Sequence, residues 1–124
     1  MAVGEIVSPT QRTLAALRKQ GITCGIVERW IAQARKRIDL FNIIDIIAIT
    51  GDKTIGVQSC GQAHSEHWKK LTIDEAEKSR LWLESPHRSL ELWSWRKLKV
   101  KRGGKAMVWT PRVAVITLGD LQCN

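Results

Sequence analysis

Between Leu40 and Ile49 the chain reads Leu-Phe-Asn-Ile-Ile-Asp-Ile-Ile-Ala-Ile, its most hydrophobic stretch. Isoleucine dominates, and a side chain branched at Cβ fits a pleated strand better than a helix. The apolar residues follow one another instead of alternating, which predicts a strand covered on both faces. Such a strand needs a layer on either side, so the expected class is α/β, a sheet flanked by helices. A length of 124 residues with 44% hydrophobic content and three prolines suits one domain spanning the chain, and argues against a disordered tail. A domain of this size buries roughly two-thirds of its unfolded surface, enough for a core without disulfides. Cys24, Cys60 and Cys123 are odd in number and unrelated in spacing, which predicts free thiols in a reducing compartment. No apolar run approaches the roughly 18 residues of a membrane span, and the first residues lack a signal peptide's apolar core. No membrane partner is expected.

The remaining elements arrange themselves around that run. Ser8-Pro9, followed by Leu14, Leu17 and Gly21, predicts a helix over 9–20 with proline inside its start and glycine past its end. Ile22 to Trp30 reads as a strand, although Val27 breaks its alternation, and Ala34 to Arg37 as a basic connector. Gly51-Asp52-Lys53 turns the apolar strand back into a partner over 54–58. Residues 63–71 look helical. Thr72 and Glu75 have the spacing of a capping box, which predicts a second helix over 73–84 closed by Pro86. Ser89 to Arg96 alternates as a strand, and the segments 97–102 and 105–110 flank Gly103-Gly104 as a hairpin. Val113 to Leu118 is a last strand. The expected order is α-β-β-β-α-α-β plus a basic β-hairpin, in a mixed, mainly antiparallel sheet.

Asp45 interrupts the apolar run. A buried carboxylate is costly unless it is paired, hydrogen-bonded or bound to a cation. One reading is a strand-end aspartate satisfied by backbone or arginine. The other is a metal ligand. With a turn at 51–53, Gln58 falls opposite Asp45 on the returning strand. Two oxygen-bearing side chains on neighbouring buried strands suit a hard cation such as Mg²⁺, with water and phosphate completing its shell.

Val27-Glu28-Arg29-Trp30, the run from Arg37 through Asp45, Gly56-Val57-Gln58 and Leu92-Trp93-Ser94-Trp95-Arg96-Lys97 together resemble small phage- and bacterium-encoded proteins of the PD-(D/E)XK nuclease superfamily. The resemblance covers roughly residues 12–112, and the order helix, three-stranded meander, helix, strand is that of the superfamily core. It implies a restriction-endonuclease-like core and a DNA endonuclease dependent on Mg²⁺ or Mn²⁺, acting on branched DNA such as Holliday junctions or flaps. It also implies a homodimer, and a cytoplasmic location (the host cytoplasm for a phage-encoded protein). By the same resemblance Asp45 is the metal-binding aspartate and Gln58 the second ligand. Cys60 stands where the superfamily usually has a lysine that activates water. The motif is therefore D…Q-x-C instead of D…E-x-K. Glutamine keeps an oxygen but loses a charge, and cysteine does not replace an ammonium. Lys69 or Lys70 on the following helix can supply that charge, and Glu28 or Asp39 a third acid. These departures leave open a second outcome, a nuclease fold that holds nucleic acid without cutting it.

Twenty Lys and Arg against twelve Asp and Glu leave a net charge of +8, which calls for a polyanion partner. DNA is the expected one, with RNA not excluded. The charge is concentrated in Arg35, Lys36 and Arg37, and in Arg96, Lys97, Lys99, Lys101, Arg102 and Lys105. Lysine-rich edges also protect sheets from aggregation, but two clusters in one chain favour phosphate contact. Cys60, His64 and His67, joined by Cys24, would make an irregular zinc set. A solvated helix face with a buried cysteine is the plainer account, and the histidines also fall near the scissile phosphate of a nuclease. A Cys–His nucleophile pair lacks any sign of an oxyanion site. Trp82, Trp93 and Trp95 read as core, leaving Trp30 and Trp109 as candidates for base contact.

Overall fold

Ser8 opens the first helix by accepting a hydrogen bond from the Gln11 N–H at 3.2 Å, with Pro9 in the first turn, and α1 runs Pro9–Lys19. In the computed structural model, which describes residues 7–122, the strands that follow are β1 (Thr23–Ile26), β2 (Arg29–Ile31), β3 (Lys36–Ile38), β4 (Ile46–Ile49) and β5 (Thr54–Cys60). Helix α2 (His64–Lys69), a π-helical turn (Lys70–Asp74) and α3 (Ala76–Leu83) then lead to β6 (Arg88–Lys99) and β7 (Met107–Ile116). Five strands form a mixed sheet in the order β1-β4-β5-β6-β7. Only the β5–β6 pair is parallel, because the helices carry the chain back between those two strands. Strands β2 and β3 pair as a separate hairpin. Among the described residues no helix is long and apolar enough to cross a membrane.

Side-chain alternation divides the sheet between two cores. Leu14 and Leu17 of α1 pack on Ile46, Ala48, Val57, Trp93 and Trp95. On the other face, Ile43, Ile44, Leu71, Leu90 and Leu92 pack with Cys60 and with Trp82 of α3. The three tryptophans expected in the interior do pack there. Gly56 is required on the second face, since a Cβ would come within 2.7 Å of the Ile44 side chain and 3.1 Å of the Trp82 ring.

Five expectations are corrected. The strand expected over 22–30 is two strands, because after Val27 the chain leaves the sheet to form the β2–β3 hairpin. Arg35, in the supposed connector, lies in that hairpin's turn with φ 49°, and Lys36 and Arg37 belong to β3. The strand expected over 40–49 is regular only from Ile46. Phe41 and Asn42 take φ of 56° and 62°, and Leu40 and Ile44 bridge across the tight turn that results. Burial of Ile43 and Ile44 therefore comes from a turn packed into the core, which a hydrophobic run alone does not distinguish from a strand.

Thr72 and Glu75 form no capping box. The Thr72 hydroxyl donates back to the Trp68 carbonyl at 2.7 Å, and the Glu75 N–H donates to the Lys70 carbonyl at 2.7 Å, so the chain passes through a π turn without breaking. The Ser79 hydroxyl donates to the Leu71 carbonyl at 2.7 Å, satisfying a group near that irregularity. Finally, the basic hairpin and the strands around it are continuous. They form one long β6–β7 ribbon, with Pro111 accommodated on the edge strand opposite Trp95.

Candidate metal centre and nucleic-acid interface

The hairpin register places Asp45 opposite Gln58. Ile46 pairs with Val57, and one residue further out the Asp45 N–H donates to the Val57 carbonyl at 2.8 Å, while the Asp45 carbonyl accepts from Val27 N–H at 2.9 Å. Asp45 is thus clamped from both sides just before β4, and both side chains are buried, Asp45 4% and Gln58 1% exposed. The β2–β3 hairpin brings the other acids. Arg29 pairs with Ile38, so Glu28 and Asp39 flank the hairpin's open end. Ligand oxygens of Glu28, Asp39 and Asp45 all lie within 4.8 Å of one another, and this is the only such cluster of His, Cys, Asp or Glu among the described residues.

Hydrogen bonds tie these acids into one network. Gln58 Nε2 donates to Asp45 Oδ2 at 2.6 Å and to Asp39 Oδ2 at 3.1 Å. The Ser59 N–H donates to Asp45 Oδ2 at 2.8 Å. Lys70 Nζ donates to Asp39 Oδ2 and to Gln58 Oε1, both at 3.1 Å. The amide of Gln58 is oriented by this network: its oxygen meets the ammonium and its NH₂ meets the carboxylates. Oxygen donors for a cation therefore come from Glu28, Asp39 and Asp45, with Gln58 presenting nitrogen to the acids. Arg37 holds Glu28 at 3.2 Å.

Electrostatics separate the two aspartates. Burial pushes Asp45 up to about 8, reinforced by the neighbouring Asp39 and opposed by the bonds from Ser59 and Gln58. Burial acts on Asp39 too, but hydrogen bonds from Asp45, Gln58 and Lys70 and the Lys70 charge bring it below the ordinary carboxylate value. The two shifts run in opposite directions, because two carboxylates this close do not both ionise readily. Hard oxygen donors crowded in this way fit Mg²⁺ or Mn²⁺, whose charge offsets their repulsion. A cleft of about 460 Å³ beside the hairpin reaches Asp39.

The two candidate lysines are distinguished. Lys70 enters the network, whereas Lys69 is exposed and turned to Asp74 at 3.8 Å, away from the acids. Sequence spacing does not separate adjacent residues at the junction between α2 and the π turn. His67 lies close enough to feel the charges of Lys70 and Asp39, and its Nδ1 is buried without a hydrogen-bond partner. His64 Nδ1 meets the Ser94 hydroxyl, which also accepts from Cys60 Sγ at 3.3 Å.

Burial raises the Cys60 thiol above its ordinary value, which disfavours the nucleophilic thiolate, and its Sγ donates to Ser94. Cys24 contacts the Leu14 carbonyl on the opposite face of the sheet, so the four residues of the zinc set are not gathered. Cys123 lies outside the described residues.

Of the two basic clusters, the first reaches the acids through the ion pair of Arg37 with Glu28. Arg35, Lys36 and Arg37 are exposed on the β2–β3 hairpin. Arg96, Lys97, Lys99, Lys101, Arg102 and Lys105 are exposed on the outer half of the β6–β7 ribbon and its turn. Because Cys60 pairs with Ser94, that half of the ribbon extends past the end of β5 from which Gln58 faces the acids. Trp30 is 59% exposed on the hairpin, while Trp109 is flanked by Arg12 at 4.1 Å and Lys97 at 5.2 Å. Arg112 was not among the residues singled out from sequence. Its signal is its pairing with Ser94, which is visible only once the register of the ribbon is known. No protein-family model matches the chain, and no curated protein or solved structure matches it at a significant level.

Proposed function

We propose that the protein is a metal-dependent nuclease of the PD-(D/E)XK type, with a restriction-endonuclease-like core, that hydrolyses phosphodiester bonds of DNA. The observation that carries this reading is the convergence of Glu28, Asp39 and Asp45 with Lys70. Mg²⁺ or Mn²⁺ held by the three carboxylates would supply a Lewis acid toward a phosphate oxygen and a water made more acidic. Gln58 and the Ser59 N–H hold the carboxylates in place. The Lys70 ammonium, anchored on Asp39 and the Gln58 oxygen, offers from the following helix the positive charge that the motif lysine would supply. Arg35, Lys36 and Arg37 on one side and the β6–β7 ribbon on the other grip the phosphate backbone without reading bases. Branched DNA and a homodimer are part of the proposal through the superfamily resemblance alone.

One observation favours a second reading, a binding module that does not cut. Gln58 replaces an acid, and its amide together with Lys70 satisfies the aspartates without a cation. Linear DNA, branched DNA and RNA incubated with Mg²⁺, Mn²⁺ or EDTA separate the two. Cleavage in either metal, absent in EDTA and lost in Asp45→Asn, is the expected result. Cleavage that survives Asp45→Asn overturns the site. Binding without cleavage in both metals selects the module.

A further inference from the structure

Ser94, Arg96 and Arg112 lie outside the acidic centre but on the same face of the sheet. Ser94 pairs with Arg112, and Arg96 follows Ser94 by two residues, so all three share a face at the end of β5. With His64 they line a cleft of about 230 Å³, and His64 and Arg112 also line a neighbouring one of about 370 Å³. No carboxylate lines either cleft. Neither Arg96 nor Arg112 forms an ion pair among the described residues. Two guanidiniums with no carboxylate partner among the described residues, lining a cleft with the Ser94 hydroxyl and the His64 ring, make a site for an anion.

A continuous face joins this cleft to the acids. His64, His67 and Lys70 are spaced by three residues and fall on one side of α2 and the turn that follows. At 1.5 Å of rise per residue they span about 9 Å. The charges confirm the order: His64 feels Arg112, Arg96 and His67, and His67 feels Lys70 and Asp39. Burial, followed by the two arginines, holds His64 below the ordinary imidazole value, which keeps the ring neutral at pH 7 and able to donate or accept beside an anion.

We infer that the cleft is a phosphate subsite of the nucleic-acid strand, in which Arg96 and Arg112 hold a backbone phosphate neighbouring the one at the acidic centre. The inference rests on the nucleic-acid reading above and gives it a direction: the strand runs from the acids along His67 and His64 to the β6–β7 ribbon. Guanidinium suits this task, because its planar fork matches two phosphate oxygens and it is always charged.

The test measures equilibrium binding of the full chain to a single-stranded and a branched DNA in EDTA, from low to physiological salt. Wild type is compared with Arg96→Gln/Arg112→Gln and with Lys53→Gln, which removes a charge from the turn at the opposite end of the β4–β5 pair. The double variant is expected to bind at least about tenfold more weakly at physiological salt, with a salt slope lower by about two, one for each lost phosphate contact. Lys53→Gln is expected to match wild type. A double variant that matches Lys53→Gln in affinity and slope overturns the subsite, whether or not the protein cuts. A reduced slope in a protein that cleaves nothing with either metal retains the subsite and overturns the nuclease reading. Wild type that fails to bind either DNA at low salt overturns both.

Discussion

Two buried polar networks sit back to back on β5, built from adjacent residues. On the α1 side the Ser59 hydroxyl donates to Thr13 Oγ1 at 3.0 Å, Trp95 Nε1 donates to the same oxygen at 2.8 Å, and Thr13 itself donates to the Pro9 carbonyl at 2.9 Å. On the α2 side Gln58 holds Asp45 and Asp39, with Lys70 behind it. Both networks satisfy their polar groups, as buried groups must. They differ in charge. The first is neutral and closed, and joins a helix to two strands. The second buries a carboxylate beside another, and that burial, with Asp39 next to it, lifts Asp45 to about 8. Neutral residues of similar shape would fill the same space at less electrostatic cost, so the second network is the one on which the proposed chemistry rests.

Asp45→Asn gives the largest separation between the two networks. Asparagine keeps an acceptor for Ser59 N–H and Gln58 and places an NH₂ toward Asp39, imitating the protonated acid. Metal-dependent cleavage is expected to fall by roughly a hundredfold or more, on the scale of removing a group that stabilises charge at the reacting centre. The melting temperature in EDTA at pH 8 is expected to rise, because a repulsive carboxylate has gone. A variant that loses both activity and stability would place Asp45 with the structural network instead.

Lys70→Met comes next. The ammonium meets Asp39 and the Gln58 oxygen at 3.1 Å, and outer partners of metal ligands typically contribute ten- to a hundredfold in affinity or activity. A loss of about that size in cleavage, or in Mn²⁺ affinity by calorimetry, is expected. Lys69→Met removes only an exposed pair with Asp74 at 3.8 Å and is expected to change neither. Equal losses in the two variants would dissolve the distinction made by the π turn.

That distinction also shows where the sequence stops being readable. The Asp45–Gln58 pair follows from counting outward from a turn at 51–53, since a hairpin register is determined by its turn. The two-sided burial of the central strands and the helix opened by Ser8-Pro9 follow from apolar pattern and capping chemistry. The convergence of Glu28 and Asp39 depends on a hairpin with three residues per strand, too short and too polar for a periodic signal. The turn at Phe41-Asn42 hides within an apolar run because side-chain hydrophobicity reports burial and not the sign of φ. Arg112 acquires meaning only through its distant partner Ser94. In each case the missing information is long-range pairing.

The pH dependence of stability offers a test without substrate. Asp45 has a folded value raised to about 8, so its stabilising contribution is complete below the ordinary carboxylate value and is lost as pH rises toward and through about 8. Asp39, lowered in the fold, acts in the opposite sense, and only as the solution becomes acidic. His64 and His67 are also lowered and weaken the fold only as pH falls into and below the imidazole range. Between pH 7 and 8 the Asp45 effect therefore dominates, the raised Cys60 thiol adding a loss of the same sign only as pH climbs further. The melting temperature in EDTA is expected to fall across that window, to flatten in Asp45→Asn, and to recover on addition of Mg²⁺ or Mn²⁺, which stabilise whatever state binds them. A flat profile in wild type would show that the acids are not crowded in the way the geometry describes.

Thr13→Val has the smallest expected effect on cleavage, and it tests the other face. Valine matches threonine in shape but leaves the Ser59 hydroxyl and the Trp95 indole N–H facing a methyl group. Each buried donor without an acceptor costs on the order of 1–3 kcal/mol, although Ser59 can turn its proton elsewhere. Equilibrium unfolding in urea is expected to lose about 2 kcal/mol, with cleavage per folded molecule unchanged. The main chain links the networks through the Ser59 N–H, which donates to Asp45 Oδ2 at 2.8 Å. A fall in cleavage beyond the loss of folded protein would mean that α1 positions the acids through that single N–H, and that the two faces of β5 are one device.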